Sequence, residues 1–373
     1  MKRSVFATSI LLIFLMCPRL GSSAPVTIRG MVTDAQTNEP LPYANIIYGS
    51  EGTSTNMDGS FVLTIDPLLE EQKLHIRYIG YESRHITLDE MDTNLYIELV
   101  STSVVLDDIM VYSAEQIMSD LDGHRQINYE YGDQLLLSYY KETVTSNDDI
   151  YYLAEGIFDI YLPTIYSGDK TAVSARKTRK REFIALDTIE IPMITGHVSD
   201  MVNGATRRKG SFLDPNQRKN YIFSKEDLTI YDGREVFKIY YEPKTKKGTS
   251  KGVLYIDSES KAVIKAEYYP VIDQQNFWTN VKWTEEYTQV DGTWFIHRVS
   301  YTGEWKSKER SFAFNALMVV TDFEDAEGKP KLKNELSNNA IFFHEASTFS
   351  DSFWGIDNYV QLSEHERMSF AKK

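Results

Sequence analysis

The sequence predicts a mainly β protein: a small N-terminal β-sandwich, then a large antiparallel sheet with a few helices. Three observations predict it. Aromatic residues make up 13% of the chain, led by 24 Tyr and 18 Phe, and these favour strands. Short alternating segments recur at close spacing through residues 25–112. From Gln134 onward, long apolar–polar alternation is broken at turn signals such as Asp232-Gly233 and Asp291-Gly292. The length of 373 residues allows two or three domains and a core that needs no covalent staples. Hydrophobic residues at 42% and charged residues at 25% suit a globular chain and exclude a disordered one. The net charge of −14 argues against nucleic acid as a main partner, because phosphate backbones demand a basic face. A single Cys excludes a disulfide framework and any Cys-rich metal site.

Residues 1–23 read as a signal peptide. Lys2 and Arg3 supply the charge, Val5–Met16 is a nearly unbroken apolar run of 12 residues, and Gly21-Ser22-Ser23-Ala24 offers small residues for cleavage. The run is too short to cross ~30 Å of hydrocarbon as a helix. Cleavage after Ser23 leaves a Cys-free, more acidic mature chain suited to an oxidising compartment. Lipidation at Cys17 and an uncleaved anchor remain as alternatives, although Leu15-Met16 matches a lipoprotein signal poorly.

In residues 25–112, Val26–Asp34 alternates as a strand and runs into the turn-rich Asp34–Pro40. Leu41–Tyr48 is a second strand. Asp58-Gly59 predicts a hairpin within Thr53–Thr64. Leu74–Ile79 and Leu95–Val100 complete the set. Phe61, Tyr78 and Tyr81 are expected to pack in the core. The stretch Ile28-Arg-Gly30 to Asn38-Glu-Pro40-Leu-Pro42-Tyr-Ala-Asn45, with Asn56-Met-Asp58-Gly59-Ser-Phe61, Arg77–Glu82 and Leu106–Val111, resembles the carboxypeptidase-regulatory-like domain. The resemblance implies a transthyretin-like β-sandwich with no catalytic residues of its own. It also implies export in a Gram-negative bacterium, to the periplasm or in association with the outer membrane.

Residues 113–133 read as a helical linker. Ser113 with Gln116 forms a capping-box pattern, and Ile117, Met118 and Leu121 recur at helical spacing. Residues 134–345 read as the antiparallel β domain, with strands expected at Leu135–Val144, Ile150–Tyr161 and Phe183–Ile191 and a short helix at His197–Lys209. A meander follows from Phe237 to Phe323. Residues 346–373 form a C-terminal tail. Leu137–Glu142, Tyr151–Tyr161 and Gly252–Glu267 resemble an uncharacterised family of bacterial envelope proteins and lipoprotein-carrier (LolA-like) half-barrels, whose curved sheet can enclose acyl chains. Many members of that envelope family continue into an outer-membrane barrel, and this chain is expected not to.

Alternation predicts that Phe277, Val281, Trp283 and Tyr287 share one face. Phe295, Val299, Tyr301 and Trp305 should do the same, as should Phe312, Phe314, Ala316, Met318 and Val320. Such a face must be covered by helices, a sheet or a ligand. The candidate ligand-binding residues are therefore Phe277, Trp283, Tyr287, Phe295, Tyr301, Trp305, Phe312 and Phe314.

Catalytic signals are lacking. The seven His form no two-ligand spacing such as HExxH, and His297 reads as a core histidine. No nucleophile elbow, P-loop or dinucleotide fingerprint occurs. Glu285 and Glu286 fall on opposite faces of a strand, so they cannot work together as acid and base. No catalytic residue, metal or cofactor is expected. The basic run from Lys170 to Arg181 reads as a solvated strand edge, with lipopolysaccharide phosphates or an acidic partner as the alternative. The expected function is a non-enzymatic envelope protein, peripheral to the membrane at most. Its sandwich would be an interaction module, and its sheet would bind an apolar ligand such as a lipid or an envelope protein. A ligand-free scaffold is the first alternative, and a glycan or peptide hydrolase the second.

Overall fold

The computed structural model describes residues 24–66, 73–87, 94–102, 112–129, 132–147, 149–164, 169–185, 198–273, 277–290, 292–307, 310–337, 340–347, 354–355 and 357–371. The signal-peptide reading, Cys17, Asp291 and most of Phe183–Ile191 lie outside these residues. The fold is mainly β, as the sequence predicts.

Seven short strands build the N-terminal sandwich: β1 (Val26–Asp34), β2 (Asn45–Tyr48), β3 (Glu51–Ser54), β4 (Ser60–Ile65), β5 (Lys73–Arg77), β6 (Arg84–Thr87) and β7 (Asn94–Leu99). They form two sheets, ordered β4-β1-β7 and β3-β2-β5-β6. Ile28, Val32, Ile46, Phe61, Leu63, Leu74 and Ile97 fill the space between them, with Tyr78 and Tyr81 packed at the margin. The Asp58-Gly59 turn does not close a hairpin. It carries the chain from one sheet to the other, because β3 pairs β2 and β4 pairs β1. Asn56 Oδ1 accepts from the backbone N–H of Asp58 and Ser60, and Gly59 takes φ +74°. A local turn signal cannot say which sheet receives the next strand.

The large sheet has ten strands among the described residues: β8 (Gln134–Ser146), β9 (Asp149–Leu162), β10 (Ala172–Glu182), β11 (Tyr221–Tyr231), β12 (Arg234–Pro243), β13 (Ser250–Asp257), β14 (Val263–Pro270), β15 (Trp278–Val290), β16 (Thr293–Ser307) and β17 (Arg310–Asp325). Their order is β10-β9-β8-β17-β16-β15-β14-β13-β12-β11, with every pair antiparallel. The sheet is open, with β10 and β11 at its edges. Asp232-Gly233 makes the expected β11–β12 turn, both residues at positive φ.

One face is covered by helices and loops: α1 (Ala114–Tyr129), α2 (Val198–Val202) with the loop after it, and α3 (Phe342–Glu345). Ser113 Oγ accepts from the Gln116 N–H and caps α1, but the Gln116 amide turns to Asp120 instead of closing the box. Ile117, Met118 and Leu121 then enter a core shared with Tyr287, Trp305, Phe312, Phe314 and Met318. Two buried carboxylates fasten this cover. Glu142 accepts from the hydroxyls of Tyr140 and Tyr152 and from the Phe343 backbone of α3. Glu285 accepts from Tyr268, Tyr287 and the Ala205 N–H at 2.7–2.8 Å. Gly204 permits that approach, since a Cβ there would meet Glu285 Oε2 at 2.8 Å.

The opposite face is covered by the sandwich and by a C-terminal strap that ends in α4 (Glu364–Ala371). Tyr139, Ile157, Leu317 and Val319 of the sheet pack with Trp354 and Val360. Asn358 bonds the Thr64 backbone in both directions, and Glu364 N–H donates to Asp58. The basic run lies on the edge strand β10, as expected, but it is solvated only in part, and most of its cations are engaged by carboxylates, the strap and α3. Arg176 pairs with Asp159, and Lys177 with Asp357 and the Trp354 carbonyl. Lys180 donates to the Phe343 carbonyl, and Arg181 lies over Phe183 and Phe370. Arg179 meets Glu155 at 2.5 Å, both buried, with Tyr139 OH on the same carboxylate and the Trp354 ring over the guanidinium. Lys170 and Arg176 are the exposed cations of the run.

His297 is the extra residue of a bulge in β16, between Ile296, which pairs Tyr287, and Arg298, which pairs Glu286. Its ring is buried against Gly52 and the Thr53 backbone of the sandwich. Burial lowers its pKa to about 4.

Arg179→Ala should cost about 3–5 kcal/mol in urea unfolding, because it strands a buried carboxylate. Glu155→Gln with Arg179→Met should recover most of that loss. Burial raises the Glu142 carboxyl to about 7, above its unfolded value of 4.5. Its stabilising, protonated form is therefore lost as pH rises through that window. Glu142→Gln should gain in Tm relative to the parent between pH 4.5 and 7, with no further gain above. His297 has the opposite sign: its stability is present above pH 6.5 and lost as pH falls toward 4. His297→Gln should flatten that acid limb of the Tm profile.

Candidate ligand-binding cleft

The sandwich-covered face is not sealed throughout. A cleft of about 550 Å³ lies between the sheet, the sandwich and the strap. Strand register lays its floor in rows. Lys265, Glu286 and Arg298 stand side by side on β14, β15 and β16. Next to them run Glu267, Thr284, Ser300, Leu317 and Lys141. A third row holds Lys282, Thr302, Asn315 and Thr143. Pro42, Tyr43, Met57 and Tyr78 reach in from the sandwich, and Ser363, His365 and Glu366 from the strap. The bulge at His297 matters to this floor: it places His297 and Arg298 together on the sandwich-facing side, which plain alternation cannot do.

The floor is charged, and most of its charges are paired. Arg298 meets Glu286 at 2.5 Å, Lys265 meets Glu267 at 2.8 Å and Glu286 at 3.7 Å, and Lys141 meets Glu366 at 2.6 Å. Burial alone would raise the carboxyls of Glu286, Glu267 and Glu366, but the cations beside them hold all three below the usual range. Burial likewise opposes the charge on Lys265 and Lys141, and their carboxylate partners raise both pKa values above the ordinary lysine value. Arg298 lies 4.7 Å over the Tyr43 ring. Tyr43 holds φ +64°, a left-handed conformation unusual for a bulky side chain, and is pinned by its N–H to the Thr55 carbonyl. The three carboxylates are ionised and engaged, so none is poised as a general base. Among the described residues, no group of three or more His, Cys, Asp or Glu is placed to hold a metal ion.

Of the candidate ligand-binding residues singled out from alternation, Tyr301 alone borders the cleft. Tyr287, Trp305, Phe312 and Phe314 are buried in the helix-covered core. Trp283 and Tyr301 are half-buried at its margin, 4.8 Å apart edge to face, and Tyr301 also borders the cleft. Phe277 is 40% exposed at the start of β15, where Trp278 is the residue that pairs Trp305, and both rings lie 5.8 Å from the Trp305 ring. Phe295 does not share a face with Val299, Tyr301 and Trp305. The bulge reverses the alternation before it, so Phe295 falls on the other face and stacks on Phe323. Glu285 and Glu286 do lie on opposite faces, one under α2 and the other in the cleft floor. Most floor residues escape the sequence reading because they are polar strand positions that read as solvent-facing; Tyr301 is the cleft-bordering candidate that alternation did single out. The recurring Lys–Glu and Arg–Glu pairs across neighbouring strands were the available signal.

No curated protein matches the chain. Several solved structures resemble it. A domain described as an outer membrane lipoprotein-sorting protein from Vibrio parahaemolyticus is 13% identical, with 58% of this chain and 95% of that one covered and a TM-score of 0.31. A LolA superfamily protein from Nitrosomonas europaea is 12% identical, with 59% and 96% covered and a TM-score of 0.30. A DUF1329 family protein from Desulfovibrio piger is 12% identical, with 58% and 95% covered and a TM-score of 0.27. No helix among the described residues is long and apolar enough to cross a membrane. Residues 28–111 match the family model of the CarboxypepD_reg-like domain, in agreement with the resemblance carried by Ile28–Asn45 and the motifs after it.

Proposed function

We propose that this chain is an exported, non-enzymatic binding protein of the bacterial envelope, and that its ligand occupies the cleft between sheet, sandwich and strap. The observation that carries the reading is the cleft itself. Three separate stretches of chain converge on about 550 Å³ of open space, a volume suited to a small organic ligand. Residues 25–112 serve as an interaction module that also roofs the site, and 113–133 link it to the sheet. Residues 134–345 supply the floor, and 346–373 strap the parts together. Export rests on the signal-like residues 1–23 and on the CarboxypepD_reg-like match. The apolar-ligand reading has less support, because four of its eight aromatic residues are enclosed by α1, α2 and α3.

Native mass spectrometry of the mature protein, purified gently from the envelope, tests the reading. The expected result is a reproducible non-covalent added mass that Ser300→Trp, which fills the cleft, removes from a folded protein. A bare polypeptide mass in repeated preparations would overturn it. So would an acyl lipid that remains bound to Ser300→Trp.

A further inference from the structure

We infer that the cleft takes an acidic sugar, a polyhydroxylated molecule bearing carboxylate or phosphate; this rests on the reading of the cleft as the binding site. The carboxylates of the floor are spent on the cations beside them, while two donors are not. Among the described residues Lys282 makes no ion pair, and its ammonium lies 5.9 Å from the Tyr269 ring centroid. Arg298 is 3% exposed, and its Nε is buried without a hydrogen-bond partner. The surplus is therefore of donors, and it calls for oxygen acceptors on the ligand.

The two donors are well separated. Lys282 pairs with Thr302 and Glu286 with Arg298, so they stand four residues apart along the strands, about 14 Å at the backbone. A bare ion cannot serve both, whereas an elongated molecule can. Between them the hydroxyls of Thr284 and Ser300 line the cleft, and that of Thr143 lines it farther along the Lys282 row, all three with no hydrogen-bond partner among the described residues. A serine or threonine hydroxyl both donates and accepts, which matches a sugar hydroxyl and not an aliphatic chain. Tyr78 adds an aromatic wall from the sandwich.

Calorimetric titration of the full mature chain tests the assignment, with trigalacturonic acid, glucose 6-phosphate, neutral maltotriose and the sugar-free polyanion tricarballylate as probes. At least one acidic sugar should bind, and maltotriose and tricarballylate should each bind about tenfold more weakly or worse. The relative affinities of the first two probes separate the carboxylate source from the phosphate source. Lys282→Gln, at a half-buried position, should weaken the acidic sugar about tenfold and leave Tm unchanged. Ser300→Val should weaken both acidic and neutral sugars. Equal binding of maltotriose, or an acidic-sugar affinity untouched by Lys282→Gln, would overturn the inference. A polar cargo that contains no sugar, found by native mass spectrometry, would overturn it while leaving the binding-protein reading intact. A bare chain that binds no probe at about 10 mM would remove both.

Discussion

A ten-stranded antiparallel sheet presents two faces, and in this protein each carries its own cover. The covers here differ in chemistry. One face meets short helices through an aromatic core. The other meets the sandwich and strap through charges, and the buried Glu155–Arg179 pair is its pivot. That pair joins β9 to β10, accepts the Tyr139 hydroxyl from β8 and stacks under Trp354 of the strap. A buried pair of this kind contributes little net stability, but its loss leaves a desolvated charge. Its value is positional: with Trp354 over Arg179 and Lys177 bonded to Asp357, the strap has one register on the sheet.

The strap and the sandwich then determine each other. Asn358 and Glu364 bond the sandwich, while Glu366 reaches Lys141 on the sheet. The space left between the three is the cleft. Its floor stays charged because each carboxylate finds a cation beside it: Glu286 on the strands at either side, Glu267 on its own strand, and Glu366 of the strap on Lys141. The donors left over, Lys282 Nζ and the buried Arg298 Nε, belong to residues that line it.

The opposite cover relies on carboxylates of another kind. Glu142 and Glu285 face tyrosine hydroxyls and backbone N–H groups instead of cations. Helices as short as α2 and α3 would hold poorly by apolar contact alone. The hydrogen bonds to Glu142 and Glu285 hold α3 and the loop after α2 on the sheet. The acidity of the whole chain therefore conceals a division between carboxylates that neutralise cations and carboxylates that gather dipoles.

Local pattern determined much of this protein. Alternation and Asp-Gly turns were enough to predict the β class, the meander and the shared apolar face of Phe312, Phe314, Ala316, Met318 and Val320, because strand parity is a property of neighbouring residues. The motifs of residues 28–111 sufficed for the sandwich family. Other features needed the tertiary structure. The bulge at His297 depends on two strands pairing out of step, and it moved Phe295 off its expected face. The basic run took its meaning from Glu155, Asp159 and Asp357, two of which lie about 20 residues before the run and one about 180 residues after it. The cleft is built of polar positions that look solvent-facing strand by strand. Which of those faces water and which faces a second domain is decided by long-range packing, and no local pattern records it.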